Sequence, residues 1–358
     1  MMNKTLQDQF SKPLLDWFDL YGRKDLPWQL PRTAYRVWVS EIMLQQTQVQ
    51  TVIPYFNRFI QRFPAVDELA QASEDEVLSL WSGLGYYSRA RNLHSTAKTI
   101  EEQYNGLFPE DLKLLMDLPG IGPSTAAAIM SQAFNKPAAI LDGNVKRVLA
   151  RFFLIKGWPE QAQVKRCMWS LADACMPRKR CADYTQAIMD MGALCCTTKN
   201  PDCFNCPLQN HCQAFKNNEQ HLYPNKKLKK PVPIQSQQIL VLYDDQGLIY
   251  LEKRPPTGVW GGLWCLPGLD QGKCPLGFIQ LQYDLKGETP KQLTAFKHRF
   301  SHFHLEINAL SIKTRALNNK VAATYGQWFS KKELSHLGLA KPTSLILSKL
   351  YESEEALQ

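Results

Sequence analysis

The chain has 358 residues, of which 44% are hydrophobic and 21% charged, so it can form ordinary globular cores, and its length indicates two or three domains. No apolar run approaches the roughly 18 residues of a membrane span, and residues 1–9 are polar and lack the order of a signal peptide. We therefore expect a cytoplasmic protein without membrane contact. The formal net charge of +9 favours a polyanionic partner, although a basic surface that serves solubility alone explains it equally well.

Residues 5–215 are predicted to form a succession of helices. Apolar residues recur at helical spacing in residues 37–59, 75–81 and 124–134. Short turns with glycine or proline separate such stretches. The sequence has no internal repeat, so an all-α region built from distinct helices is expected.

The first candidate functional residue is Glu41, within a largely apolar segment that should be core. Residues that follow one another at spacings of three and four are Trp38, Glu41, Gln45 and Gln48. This spacing predicts that they share one helix face. A carboxylate beside apolar residues tends to have a raised pKa, and such a group can donate a proton near neutral pH. The alternative is an ordinary solvated stripe.

The segment 118–124, Leu-Pro-Gly-Ile-Gly-Pro-Ser, lies between two predicted helices. Gly120 and Gly122 permit a tight turn with exposed backbone N–H groups. The next helix, starting at about Ser124, points its positive end toward the same place. Together these features suit the binding of a DNA phosphate. An ordinary turn is the alternative, but the flanking residues make the pattern resemble a helix-hairpin-helix motif.

Asp142 precedes a predicted helix in the segment 140–149, Ile-Leu-Asp-Gly-Asn-Val-Lys-Arg-Val-Leu. Taken alone, an aspartate in this position is an N-cap. Gly143 lets the chain pass close to a ligand, and Asn144 adds a second polar group. Lys146 and the arginines that follow put positive charge where DNA would lie.

Two carboxylates in unlike surroundings suit the cleavage of the bond between a base and its sugar. The reaction creates a cation-like sugar, and the leaving base needs a proton. One carboxylic acid can supply that proton while an ionised carboxylate stabilises the sugar, a division of labour related to that of glycoside hydrolases. Glu41 in an apolar setting and Asp142 in a polar one fit this division, although the sequence does not place them together.

The chain has ten cysteines, and because disulfides are not expected in a reducing compartment, clustered cysteines indicate metal ligands. Four have the spacing C-x6-C-x2-C-x5-C: Cys196, Cys203, Cys206 and Cys212. Thiolate ligation with this uneven spacing favours an iron–sulfur cluster, while zinc, which usually takes two close pairs, and unligated thiols remain alternatives. The other six are predicted to be small buried hydrophobic residues: Cys167, Cys175, Cys181, Cys195, Cys265 and Cys274.

The pattern changes after residues 223–233, which are rich in lysine and proline and predict a linker between domains. Residues 238–243 and 248–251 are short and β-prone. Residues 303–309 alternate apolar and polar side chains, as a half-buried strand does. A separate mixed α/β domain is therefore expected at the C-terminus.

The chain resembles the MutY adenine glycosylases over nearly its whole length. The segments that carry the resemblance, in the family's order, are residues 39–48, 83–93, 118–124 and 141–146 and the cysteine cluster. The resemblance implies a multidomain protein: an all-α helix-hairpin-helix glycosylase core with an adjoining iron–sulfur domain, and a C-terminal α/β Nudix-like domain. It also implies a base-excision repair enzyme with a 4Fe–4S cluster that removes adenine mispaired with 8-oxoguanine, or guanine, in double-stranded DNA.

The domain boundaries expected on this basis leave a linker between two larger regions. They are residues 1–222 for the glycosylase region (core at 27–137, iron–sulfur domain at 1–26 and 138–222), 223–235 for the linker and 236–358 for the 8-oxoguanine recognition domain. A monomer is expected, and the sequence does not identify protein partners.

The resemblance assigns roles to individual residues. It implies that Glu41 protonates the adenine, that Asp142 stabilises or transiently traps the sugar cation, and that Asn144 supports this centre by hydrogen bonding. The adenine would be flipped out of the duplex, and Gln45 and Tyr86 match positions that wedge into the base stack beside the lesion. The further expected DNA contacts are Gly120, Gly122, Ser124 and Lys146.

Residues 254–264 resemble the entry to a Nudix-like domain, but no Arg-Glu-x-x-Glu-Glu run follows, and those carboxylates hold the metal of a Nudix hydrolase. This domain is therefore expected to bind rather than to hydrolyse. Phe300, Ser301 and His302 match the loop with which the family inspects 8-oxoguanine. Ser301 can hydrogen-bond and Phe300 can wedge or stack, whereas His302 could equally be a plain surface residue.

Ser124 separates this chain from the endonuclease III relatives, which carry at this position a lysine that attacks the sugar and permits strand cleavage. Serine lacks the amine for a Schiff base, so the resemblance implies a monofunctional glycosylase without efficient lyase activity. Three rival hypotheses remain: an endonuclease III-like enzyme for oxidised pyrimidines, a hydrolase of oxidised nucleotides, and a non-catalytic lesion reader.

Overall fold

The computed structural model describes residues 6–227, 231–300, 302–317 and 326–355, with side chains as far as Glu352. The chain divides into two compact units, the first formed by residues 1–71 and 92–229, the second by residues 72–91 and 230–358. Each unit is a body with its own core. No helix in the described ranges is both long and apolar enough to cross a membrane.

The first unit is helical, as the spacing of apolar residues predicts. A π-helical turn at Gln7–Ser11 leads into its first helix, and a short 3₁₀ helix follows at Pro27–Gln29. Its helices before residue 72 are α1 (Lys12–Tyr21), α2 (Ala34–Leu44), α3 (Val49–Arg62) and α4 (Val66–Gln71). Helix α5 (Glu74–Leu80) belongs to the second unit, and α6 (Ser88–Tyr104) begins in the second unit and continues into the first. The helices that follow are α7 (Leu112–Met116), α8 (Pro123–Gln132), α9 (Gly143–Phe152), α10 (Ala162–Cys175), α11 (Cys181–Asp190) and α12 (Gln213–Lys216).

Aromatic side chains fill the interior of the first unit. Phe10 meets Phe152 edge to face, with ring centroids 4.8 Å apart, and so joins the N-terminal turn to α9. Trp28 meets Phe56 in the same way at 5.4 Å. The first contact packs the N-terminal turn against the C-terminal end of α9, and the second packs the 3₁₀ helix against α3. Both contribute to the core because large rings bury much area and pack with specific geometry.

The second unit contains an eight-stranded mixed sheet flanked by helices. The strands are β1 (Ile234–Tyr243), β2 (Ile249–Lys253), β3 (Trp264–Cys265), β4 (Gly268–Asp270), β5 (Leu285–Gly287), β6 (Lys291–Arg299), β7 (His304–Ala316) and β8 (Gly326–Phe329). The helices of this C-terminal part are α13 (Pro275–Tyr283), α14 (Lys331–Leu334) and α15 (Lys341–Glu355). The order is β3-β2-β1-β7-β5, with β4 also on β1, β6 on β7 and β8 on β2. Only β1 and β7 pair in parallel among the described strands, from Ile234 opposite His304 to Tyr243 opposite Lys313.

Successive apolar side chains of β1 pack into two different cores, one on each face of the sheet. Ile239 and Val241 belong to a core that includes residues of α15, whereas Leu240 and Leu242 belong to a core that includes Ile279 of α13. Successive side chains of a strand point to opposite faces, so a run of apolar residues marks a strand buried on both sides. The expected α/β domain is confirmed.

Two local predictions are wrong. The apolar spacing in residues 37–59 does not form one helix, because polar residues interrupt it and Gln46 takes a left-handed conformation with φ of 59° between α2 and α3. Not all of the six scattered cysteines are buried, since Cys167 and Cys274 are exposed. Each of them lies at a surface position, Cys167 on α10 and Cys274 just ahead of α13.

Candidate active site

Glu41 lies on α2, where its helical neighbours Trp38 and Met43 are fully buried. The residue as a whole keeps partial exposure, but its carboxyl group is enclosed. Burial raises the pKa of Glu41 to about 8, and the negative charge of Asp142 acts in the same direction. The carboxyl is therefore largely protonated near neutral pH, in a state that can donate a proton.

The polar partner of Glu41 comes from α8 rather than from its own helix. Gln132 Nε2 donates a hydrogen bond to Glu41 Oε1 at 3.2 Å. The predicted helical face that would add Gln45 and Gln48 does not exist, because α2 ends at Leu44. Gln45 is the C-cap of α2 and Gln48 the N-cap of α3, so both lie in the connection between two helices.

Asp142 is the N-cap of α9, and it is also a neighbour of Glu41. Its Oδ1 accepts a hydrogen bond from the backbone N–H of Val145 at 2.8 Å. Burial raises the pKa of Asp142, while hydrogen bonds from the backbone N–H groups of Val145 and Asn144, then the charges of Arg147 and Lys146, oppose the rise. Since the Asp142 charge acts on Glu41, the fold brings together two carboxylates that are distant in the sequence.

The hairpin at 118–124 connects α7 to α8 and supports the residue before Asp142. Gly120 has a φ of +76°, a conformation that favours glycine. Gly122 is the N-cap of α8 and its backbone is exposed, as an anion site at a helix N-terminus requires. Ser124 Oγ accepts a hydrogen bond from the backbone N–H of Leu141 at 3.0 Å. The hairpin thus combines a turn that can face a phosphate with a hydrogen bond beside Asp142.

Arg147 links Asn144 to the segment that leads into the cysteine cluster. Its guanidinium donates to Asn144 Oδ1 at 2.8 Å, to the Gly192 carbonyl at 2.5 Å and to the Cys196 carbonyl at 2.7 Å. A Cβ on Gly192 would lie 2.5 Å from Asn144 Cβ, so the two backbones approach closely. Asn144 is therefore held from two sides, and its position depends on the chain just before the cysteine cluster.

The four clustered cysteines line one cavity together with Arg151. The Arg151 guanidinium is buried and donates to the carbonyls of Thr197 at 2.7 Å and Gln220 at 2.9 Å and to Cys196 Sγ at 3.3 Å. Over the ranges that the structure describes, no three His, Cys, Asp or Glu side chains lie close enough to hold a single metal ion. The cysteines therefore surround a shared space rather than converge on one point.

Lys146 is engaged in an ion pair. Its Nζ donates to Glu160 Oε1, and Lys165 Nζ lies 3.4 Å from Glu160 Oε2. The hydrogen bond from Lys146, ahead of the charges of both lysines, lowers the pKa of Glu160. A DNA phosphate would have to compete with Glu160 for the Lys146 ammonium group.

A second candidate site lies within the second unit, in a pocket of about 520 Å³. Residues that line it are Tyr86, Arg91, Trp260, His298, Phe300 and His302. Arg91 fixes one wall, because its guanidinium donates to the carbonyls of Gly261 and, at 2.8 Å, of Pro256. Tyr86 is 47% exposed with a φ of 49°, so it projects from a turn rather than from a core.

Phe300 lies at the centre of the aromatic wall of this pocket. Its ring stacks on Phe303 with centroids 4.4 Å apart at 21°, and Trp260 lies 5.4 Å away. Burial lowers the pKa of His298, with the Lys341 charge as a second cause, so the imidazole is neutral near pH 7. His302 is exposed beside Phe303, and Ser301 lies outside the described residues.

Comparison with known proteins identifies the family of the chain. The HhH-GPD superfamily of base excision DNA repair proteins matches residues 39–174, and the NUDIX domain matches residues 238–349. The chain is 39% identical over 346 residues to the adenine DNA glycosylase of Buchnera aphidicola subsp. Baizongia pistaciae, covering 95% of this chain and 96% of that protein. The chain belongs to the adenine DNA glycosylase family.

More distant members of the adenine DNA glycosylase family and a solved structure are also similar. The adenine DNA glycosylase of Homo sapiens is 32% identical over 408 residues, covering 97% of this chain and 74% of that protein. A thermostable thymine-DNA glycosylase structure superposes with a TM-score of 0.55 at 27% identity, covering 60% of this chain and 98% of that chain. The predicted family and the predicted fold class are confirmed.

The sequence did not predict a role for Gln132, nor did it predict that the arginines of α9 point into the protein. Gln132 is the last residue of an alanine-rich, buried helix, where a polar side chain is unexpected unless it has hydrogen-bond partners. The sequence predicts that Arg147 and Arg151 provide positive charge for DNA, yet their guanidinium groups point into the protein. The available signal is that Arg151 follows Val148 by three residues on a strongly amphipathic helix, which places it near the apolar face.

Proposed function

We propose that this member of the family hydrolyses the N-glycosidic bond of adenine paired with 8-oxoguanine, or with guanine, in double-stranded DNA. The observation that carries the proposal is the pair of Glu41, with a pKa of about 8, and the neighbouring Asp142. In this scheme Glu41 protonates the leaving adenine, and Asp142 as carboxylate stabilises the cationic sugar. Water completes the reaction at the sugar carbon.

The surroundings of each carboxyl support its proposed role. Burial raises the pKa of Glu41 to about 8, so the carboxyl keeps its proton near pH 7. Burial raises the pKa of Asp142 as well, but backbone N–H groups that donate to it and the charges of Arg147 and Lys146 oppose this rise and favour its ionised form. Asn144 supports the same centre through the hydrogen bond that it accepts from Arg147. Groups that favour a carboxylate thus surround Asp142, whereas the charged neighbour of Glu41 is itself a carboxylate and favours the protonated acid.

DNA contacts in this proposal come from both units. In the first, the exposed backbone at Gly120 and Gly122 holds a phosphate, with Ser124 behind it and Lys146 nearby. Gln45 of the first unit and Tyr86 of the second wedge into the base stack. In the second, the pocket that contains Phe300 and His302 reads the 8-oxoguanine, together with Ser301, which stands between them in the sequence. Aromatic rings beside cationic groups favour a nucleobase attached to a phosphate.

We also propose that Cys196, Cys203, Cys206 and Cys212 hold a 4Fe–4S cluster. A cluster has bulk of its own, so its ligands surround a cavity instead of meeting at one ion, and these four line a common cavity. The cluster would supply structural support to the segment that Arg147 and Arg151 join to α9. The proposed domain boundaries stay those given by the sequence: 1–222, 223–235 and 236–358. We further propose that the protein acts as a monomer in the cytoplasm.

The absence of a lysine at position 124 supports a monofunctional reaction without efficient strand cleavage. Sodium borohydride traps the Schiff base that a lyase forms with the abasic sugar. Wild-type protein incubated with the mispaired duplex and borohydride should release adenine and yield no covalent adduct. Robust trapping would instead favour the endonuclease III-like rival.

The proposal as a whole is tested by single-turnover excision from a duplex with one adenine opposite 8-oxoguanine. Glu41→Gln and Asp142→Asn should each lose about 100-fold or more in rate, the range of a general acid or a charge stabiliser. Both variants should still bind the duplex. Glu102→Gln, at an exposed position of α6, is the matched control and should keep the wild-type rate.

The outcomes separate the proposal from its rivals. Wild-type rates in both carboxylate variants would contradict the assigned chemistry. Wild-type protein that binds the mispair and releases no adenine would be a lesion reader. Phosphate release from oxidised dGTP would point to a nucleotide hydrolase that uses the second unit.

A further inference from the structure

Gln132 carries one polar group that is used and one that is not. It closes α8, where the preceding residues from Thr125 to Ser131 are buried, and is itself only 4% exposed. Its Nε2 donates to Glu41 Oε1, whereas its Oε1 is buried without a hydrogen-bond partner in the described part of the chain. Buried amide oxygens are nearly always paired in folded proteins, so this atom needs an explanation.

We propose that Gln132 positions the proton of Glu41 and selects the leaving base by accepting a hydrogen bond from the exocyclic amine of adenine. The inference rests on the proposed role of Glu41 as the acid. Gln132 is thus both a positioning residue, through Nε2, and a specificity-determining residue, through Oε1. Neither group forms or breaks a covalent bond in the reaction.

The positioning role follows from the inventory of donors and acceptors. A protonated carboxyl has one O–H donor, and its other oxygen remains an acceptor. Because Gln132 Nε2–H occupies Glu41 Oε1 as an acceptor, the transferable proton resides on Oε2. A general acid works only when its proton faces the atom that receives it, so the amide determines which oxygen delivers the proton.

The selecting role follows from the other end of the same amide. Gln132 Oε1 and Nε2 share one carbon, so the unpaired oxygen lies beside the Glu41 carboxyl, the group that protonates the base in the proposed function. Adenine has an amine that can donate to this oxygen. Guanine and hypoxanthine have a carbonyl oxygen at the same ring position, which would face Gln132 Oε1 acceptor to acceptor. Sites built around a buried hydrogen bond reject the analogue that lacks it.

The packing holds Gln132 in place and limits the charges that act on Glu41. Ser131 Oγ accepts a hydrogen bond from Thr185 Oγ1 of α11 at 2.9 Å, which anchors the end of α8. Helix α8 and the 3₁₀ turn at Pro27–Gln29 contain no titratable side chain. Of the titratable groups on α3, the arginines lie over aromatic rings, Arg58 over Tyr55 and Arg62 over Phe63. The charged group that acts on Glu41 is Asp142.

The test compares two substrates and two variants under single-turnover conditions. Duplexes carry either adenine or unsubstituted purine, which lacks the amine, opposite 8-oxoguanine. In Gln132→Leu the preference for adenine over purine should fall about tenfold relative to wild type, the effect of losing one hydrogen bond. The adenine-to-purine rate ratio of the variant is divided by that of the wild type, which cancels the difference in leaving ability between the two bases.

A pH profile of the excision rate gives a second readout that a structural role would not move. The hydrogen bond from Gln132 favours the ionised form of Glu41 and lowers its pKa. Removal of the donor in Gln132→Leu therefore raises the pKa, and the alkaline limb of the profile should move to higher pH. Gln103→Leu, the same substitution at an exposed position of α6, is the matched control and should keep both the wild-type substrate ratio and the wild-type alkaline limb of the pH profile.

Three results would overturn the inference. If Gln132→Leu slows the excision of adenine and of purine equally and leaves the alkaline limb of the pH profile unchanged, Gln132 has a structural role alone. Wild-type protein that shows no preference for adenine over purine would remove the selecting role, even if Gln132→Leu and Gln132→Met both fail to fold. An active Glu41→Gln variant would remove the proposed function itself, a failure distinct from the first two.

Discussion

Ser124 and Leu141 are joined by a hydrogen bond of 3.0 Å, in which the serine hydroxyl accepts from the backbone N–H of Leu141. This bond ties the first turn of α8 to the residue before Asp142. The hairpin that is proposed to hold DNA and the carboxylate that is proposed to stabilise the sugar therefore share a direct contact. A substitution in the hairpin should therefore alter the position of Asp142.

Ser124→Ala should slow excision several-fold while leaving the fold intact. The substitution leaves the N–H of Leu141 without its acceptor, a loss of about 1–3 kcal/mol for a buried group, and lets the Asp142 loop relax. Single-turnover rates and thermal unfolding would measure the two effects. Ser95→Ala, at an exposed position of α6, should change neither. An unchanged rate in Ser124→Ala would show that the bond does not serve Asp142.

The rate of excision should depend on pH as a bell-shaped curve. Glu41 must be protonated, and its pKa of about 8 means that the rate falls above that pH as the proton is lost. Asp142 must be ionised, and because burial raises its pKa above the usual 3.8, the acid limb should begin above that value. Measurement at saturating enzyme removes the contribution of DNA binding. A rate that stays constant up to pH 10 would contradict the assigned acid.

Much of this site could be predicted from the sequence, because its motifs are local. Glu41 and Asp142 stand out by their neighbours, and the cysteine spacing is visible in one loop. Their meeting could not be predicted from spacing, since it depends on how α2, α8 and α9 pack. Periodicity predicts that Gln45 and Gln48 share the helix of Glu41, because it does not reveal that α2 ends before the left-handed Gln46.

The arginines of α9 show a second limit of sequence reasoning. A basic residue on a helix near a candidate DNA site predicts a phosphate contact, and composition gives no reason to expect otherwise. Arg151 instead donates to several backbone carbonyls of the cysteine segment and is 3% exposed. Backbone carbonyls that need a donor are invisible in a sequence, because every residue has one.

Gly120→Ala should weaken DNA binding more than Gly122→Ala. Gly120 has a φ of +76°, and a Cβ there would lie 2.7 Å from Asn92 Cβ. A non-glycine residue in this conformation costs about 1–3 kcal/mol, so the hairpin should distort. Gly122 has a negative φ and open space at its Cβ position, which makes Gly122→Ala a matched control for folding. Equal affinities of the two variants for duplex DNA would contradict the role of this turn.

Arg147→Gln should reduce both the iron content and the excision rate. The change removes the hydrogen bonds to Asn144, to Gly192 and to the Cys196 carbonyl. Because these bonds join the candidate catalytic helix α9 to the cysteine segment, their loss should destabilise both the position of Asn144 and the segment that leads into the cysteine cluster. Visible absorbance and iron analysis report on the proposed 4Fe–4S cluster, and thermal unfolding reports on the fold. Arg166→Ala, an exposed arginine on α10, should leave all of these unchanged.

Phe300→Ala should lower the preference for adenine opposite 8-oxoguanine over adenine opposite guanine without abolishing excision. The ring stacks on Phe303 and lies 5.4 Å from Trp260, so its removal opens the aromatic wall of the pocket in the second unit. Stacking of a base on an aromatic ring is worth about 1–3 kcal/mol, which corresponds to a loss of about tenfold in discrimination. Leu281→Ala removes an apolar side chain that is 91% exposed on α13 and serves as control. If Phe300→Ala slows both mispairs to the same extent, the pocket does not read the lesion, and 8-oxoguanine must be recognised elsewhere.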